Sequence, residues 1–75
     1  MSTRLIIRTA DTSRAHWNAM RVALNRQGLE LHRYHAGITD GVMTIIADAY
    51  HPDGGEEPRA HEALASTSAS LYVMH

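Results

Sequence analysis

The feature that most constrains this chain is a turn dipeptide, Asp40-Gly41, set between two runs rich in apolar and β-branched residues. Both residues tolerate positive φ, as a two-residue hairpin connection requires, so 29–39 and 41–50 are predicted to pair as an antiparallel hairpin. The second run holds Val42, Thr44, Ile45 and Ile46 with no proline and no internal glycine, and reads as a central strand. With the turn fixing the register, Thr39 faces Val42. Gly37 then lies opposite Thr44, His35 opposite Ile46, Arg33 opposite Asp48 and Leu31 opposite Tyr50 on one face. On the other face Ile38 meets Met43, Ala36 meets Ile45 and Tyr34 meets Ala47. That second face, with Ala49 added, is the expected core side, because its alanines let a helix approach closely.

The remaining elements follow from the pattern on either side. Residues 3–9 suit a strand with Leu5 and Ile7 on one face and Arg4, Ile6 and Arg8 on the other. Asp11, Thr12 and Ser13 are helix N-cap candidates, and nothing interrupts the chain until Gly28, which is placed to end a helix in the left-handed conformation. On that helix Trp17, Met20 and Leu24 form one apolar stripe, expected to face the sheet, with Val22 on the outer side. Residues 51–58 read as an acidic, turn-rich, mobile loop; Pro58 suits the first turn of a short helix running to Ala65. Leu71 to Met74 read as a last strand, Leu71 and Val73 inward, Tyr72 and Met74 outward.

The order β-α-β-β-α-β specifies an α+β ferredoxin-like sandwich: a four-stranded antiparallel sheet with both helices on one face and the first and third strands central. The rival is β-α-β-β with a loosely ordered C-terminal segment, since the second helix is weak. At 75 residues the chain is read as one domain, 1–75, of a size that buries only about 60–65% of the surface its unfolded form exposes. With no cysteine to staple it, self-association or a partner is the simplest source of further stabilisation. The absence of an apolar run of about 18 residues or of a signal-peptide pattern leads to an expected location in the cytoplasm of a bacterial host.

Net charge is −1, but it is unevenly spread. Six of the seven arginines fall in residues 1–35, and six of the eight acidic residues in 36–75. Arginine stands at every lysine-or-arginine position, which suits bidentate contacts to carboxylate or phosphate, but the favoured account is the codon bias of a GC-rich genome, which the abundance of alanine and histidine also fits.

No catalytic or cofactor motif is present. The histidines His16, His32, His35, His51, His61 and His75 lack metal-ligand spacing; His32 and His35, three apart in a regular strand, would point to opposite faces. There is no nucleophile elbow, and Gly54-Gly55 has no phosphate-loop context. The chain is therefore read as a non-enzyme with no metal and no cofactor.

What the fold leaves for function is the uncovered sheet face, expected to carry Arg4, Arg8, Arg33, His35, Asp48, Tyr50 and Tyr72, with Asp53, Glu56 and Glu57 beside it in the acidic loop. Arginine beside tyrosine on an open four-stranded sheet resembles, in architecture alone, the surface on which RNA-recognition domains stack bases. The motif of those domains is missing, there is no phenylalanine, and Asp48 would repel a phosphate backbone. The same mixture of Ile, Met, Tyr and Arg matches the composition of protein interfaces. The expectation is a small stand-alone protein-binding module occupying a surface of another protein or protein complex. Its size class includes phage and mobile-element inhibitors of bacterial defence complexes, anti-CRISPR proteins among them. The alternatives are a single-stranded nucleic-acid binder using the open face and a homodimeric structural domain. No membrane partner is expected.

Overall fold

The computed structural model describes residues 2–74, so His75 lies outside it. The elements are β1 (Thr3–Thr9), α1 (Arg14–Arg26), β2 (Glu30–Thr39), β3 (Val42–Tyr50), α2 (Glu56–Leu64) and β4 (Ser70–Met74). They build one four-stranded antiparallel sheet in the order β2-β3-β1-β4, an α+β ferredoxin-like arrangement with β1 and β3 central. Because β4 pairs with β1 along its whole length, the rival with a loose C-terminal segment is set aside. No helix among the described residues is long and apolar enough to cross a membrane.

Local signals explain the helix ends. Ser13 caps α1 through its hydroxyl, which accepts the His16 N–H. At the other end Gly28 turns left-handed at φ 79°; its N–H donates to Asn25 and the Leu29 N–H donates back to Leu24. This double closure brings Leu24 and Leu29 together, and both are buried. The α2 helix begins at Glu56, two residues before Pro58, because left-handed Gly55 starts it.

The core joins Leu5 and Ile7 of β1, Met20 and Leu24 of α1, Met43, Ile45 and Ala49 of β3, and Ala60, Ala63 and Leu64 of α2. Trp17, Leu71 and Val73 pack at its margin, as their spacing predicts. Three residues expected inside are not: Tyr34 and Ala36 are exposed and Ile38 is 61% exposed. The helices lean on each other, and α2 on β1 and β4. The helix-side cover of β2 stops at Trp17, which meets Tyr34 edge to face at 5.7 Å with the Arg21 guanidinium over both rings.

The hairpin register also differs from expectation. Asp40 and Gly41, at φ 54° and 76°, form a turn of the primed type, and the predicted pairing holds from Thr39–Val42 back to His35–Ile46. There the ladder bulges: Arg33, at φ 51°, and Tyr34 together stand where only Ala47 faces them. The extra residue shifts the parity of everything before it. Asp48 therefore faces His32 in place of Arg33, Tyr50 faces Glu30 in place of Leu31, and Leu31 turns to the helix side opposite Ala49.

Candidate protein-binding face

The face of the sheet away from the helices is open. Cross-strand pairing places Arg4, Ile6 and Arg8 of β1 between Asp48, Ile46 and Thr44 of β3 and Met74, Tyr72 and Ser70 of β4. Four large apolar side chains stand out of it: Tyr72 at 59% exposure, Met74 at 55%, Ile46 at 38% and Val42 at 37%. Ile6, Arg8, Thr44 and Tyr72 line a shallow concavity of ≈ 380 Å³ in its middle. These side chains ride on the two central strands and β4, so their spacing is set by ladder hydrogen bonds rather than by a loop.

Charge on this face is mostly balanced internally. The Arg4 Nε donates to Asp48 Oδ1 at 3.1 Å, so the arginine that meets Asp48 is Arg4 of β1, and Arg33 does not join the row. Arg8 is exposed and makes no ion pair among the described residues. Tyr50 lies at the far end of the face beside Glu30, and His35 lies beside Ile46. The bulge also brings His32 and His35 onto this one face, against the expectation of opposite faces, yet no group of three metal-binding side chains occurs among the described residues.

The acidic loop expected to be mobile is held in place. Glu56 is only 6% exposed: its Oε2 accepts the His51 N–H at 2.9 Å and its Oε1 accepts the Thr3 hydroxyl at 3.2 Å. The His51 N–H holds the Glu56 carboxyl below the usual glutamate range, with help from its own N–H at the helix start and from Thr3, against the opposing effect of burial. His51 Nδ1 accepts the Asp53 N–H, and the His51 ring lies against Gly28, where an added Cβ would come within 3.0 Å of it. Arg59 donates to the carbonyls of Gly54 and Gln27. Glu56 is thus a structural clamp inside the chain, while Asp53 is exposed and Glu57 half-buried. An internal carboxylate of this kind leaves no sequence pattern to tell it from a surface one.

One constellation has the look of chemistry. The Thr9 hydroxyl lies 3.0 Å from His16 Nε2, and His16 Nδ1 lies 3.7 Å from Asp11. The Thr9 oxygen, however, accepts the Asp11 N–H and is buried with its residue, while Asp11 accepts the Ser13 N–H. The Ser13 hydroxyl and N–H, with a smaller effect from His16, hold Asp11 below its ordinary range. The cluster fastens the start of α1 to the end of β1. No family model matches the chain, and no curated protein matches it either.

Proposed function

We propose that this chain is a protein-binding module that uses the open sheet face. The observation that carries the reading is the group Ile46, Tyr72 and Met74 standing exposed around the Arg8-edged concavity on rigid strands. Aromatic, methionine and arginine side chains on a preformed surface are the anchors that interfaces concentrate, because they bury much area with little ordering cost. The Arg4–Asp48 pair and the half-buried Thr44 form a polar background that fixes orientation more than affinity. The nucleic-acid alternative needs Arg4, Arg8 and Arg33 to follow one phosphate track. Pairing of Arg4 with Asp48 and displacement of Arg33 by the bulge leave Arg8 alone there, which favours the protein reading. A narrower form, a phage or mobile-element inhibitor of a bacterial defence complex, has size class as its support.

The test is capture from bacterial lysate followed by titration of the purified captured protein. Tyr72→Ala and Arg8→Ala are each expected to weaken binding about 30-fold, the effect of an anchor worth about 2 kcal/mol, while Val22→Ala on the far side of α1 leaves it unchanged. Equal binding by all three variants rejects this face. Retarded migration of single-stranded oligonucleotides, falling steeply with salt, favours the alternative.

A further inference from the structure

We propose that the free edge of β2 pairs with the same edge of a second copy, antiparallel and centred on Gly37, to make a continuous eight-stranded sheet. This surface is separate from the open face and does not depend on the reading given to that face. Three observations carry it.

The first is the unprotected length of the edge. In a two-residue hairpin the residues flanking the turn form a hydrogen-bonded pair and the pairs then alternate, so Thr39, Gly37 and His35 turn their polar backbone groups to β3. Ala36 and Ile38 turn theirs outward. Natural edges are blunted by lysine, proline or a bulge. From His35 to Thr39 there is none of these; the bulge closes one end at Arg33-Tyr34 and the turn closes the other at Asp40-Gly41. The pairable segment is therefore 35–39, and its midpoint is Gly37.

The second is Gly37 itself. It has no positive φ, and a Cβ built there meets nothing within 4 Å, so this chain gives no reason for a glycine that weakens a strand. Glycine inside a strand often marks the close approach of another backbone. With the two-fold axis at Gly37, Ala36 and Ile38 of one copy exchange hydrogen bonds with Ile38 and Ala36 of the other. The two Gly37 residues then form the non-hydrogen-bonded pair, in which Cα atoms come within about 4.5 Å. Shifting the axis to residue 36 or 38 runs the pairing into the bulge or the turn.

The third is what the flanks bring together. Ile38, the most exposed large apolar residue among those described, would lie against Ala36 and diagonally beside Tyr34 of the other copy, covering Ala36 and Ile38, which the chain's own helices leave bare. Arg33 at one end of the segment would lie beside Asp40 at the other end of its mate, twice by symmetry, so opposite charges meet at both rims.

Because the chain has no cysteine, Gly37→Cys reports the pairing directly: two such residues on the axis are within disulfide reach. The expected result is a concentration-dependent mass rising from monomer to dimer by sedimentation equilibrium, and a mild-oxidation crosslink in Gly37→Cys forming at least about 10-fold faster than in the surface control Val22→Cys. Ile38→Pro removes the outward-facing N–H and the Ile38 side chain but no hydrogen bond to β3, and is expected to weaken the dimer about 100-fold with circular dichroism retained. Should that variant lose its fold, Ile38→Lys at the same exposed position gives the same readout. Asp40→Asn keeps the turn and removes the rim charge, for a loss of about 3-fold. A monomeric mass at every concentration, or a dimer that tolerates Ile38→Lys and in which Gly37→Cys crosslinks no faster than Val22→Cys, overturns the proposal.

Discussion

Ile45 and Ala36 sit directly opposite each other in one sheet, yet Ile45 has no exposed surface and Ala36 is open to solvent. The contrast holds along the hairpin: the helix-side residues of β3 are core, while their neighbours on β2 beyond Trp17 are bare. The two strands have similar β-forming composition and share ladder hydrogen bonds, so the difference lies in the cover. The apolar stripe of α1 runs through Trp17, Met20 and Leu24, α2 adds Ala60, Ala63 and Leu64, and beyond β3 this layer reaches only the start of β2, at Leu31 and Tyr34. A residue's place in the alternation decides which face it takes; the reach of the opposite layer decides whether that face is inside.

Several substitutions would sharpen or break this contrast, all read as unfolding midpoints in denaturant at low protein concentration. Ile45→Ala in the covered strand is expected to lower stability by about 2–5 kcal/mol, and Ile38→Ala one strand over by less than about 0.5 kcal/mol. Comparable losses would mean that the hairpin is covered in solution.

Next is Gly28→Ala, which forces a side chain into left-handed backbone against the His51 ring and is expected to cost at least about 1–2 kcal/mol. A neutral result would mean that the 51–55 loop is not seated there.

The Glu56 clamp gives a pH signature. Its carboxyl titrates lower in the folded than in the unfolded chain, so its contribution is fully present above the unfolded value of 4.5 and is lost as pH falls through the folded value. Glu56→Gln should flatten that acid limb of the stability curve, and an unchanged limb would rule the clamp out. The one effect of opposite sign belongs to Arg33→Gly. In a regular strand glycine would destabilise; at a left-handed bulge residue it should stabilise by about 0.5–1 kcal/mol.

The sequence made the element order legible because each boundary has its own chemistry: Ser13, Gly28 and Asp40-Gly41 act where they were expected to. The faces of β1 and β4 were legible as well, although the alternation is weak, with Leu5-Ile6-Ile7 and Leu71 to Met74 each apolar throughout, because no bulge interrupts either short run. The bulge was missed because neither Arg33 nor Tyr34 belongs to the usual turn residues. A signal was nevertheless present. Leu29 and Leu31 place apolar residues at odd positions, whereas Tyr34, Ala36 and Ile38 place them at even ones, and such a change of parity within one strand implies an inserted residue. Glu56 was misread because local sequence does not show that Thr3, 53 positions away, would reach it.

The pairing of β1 with β4 has a consequence for how the chain comes into being. Leu5 and Ile7 leave a ribosome before either neighbour of their strand has been made, and the second neighbour is complete only once residue 74 has appeared. Of the four strands β1 thus waits longest for shelter, and its safe passage, more than the assembly of the local hairpin, should set how readily this chain is produced without clumping.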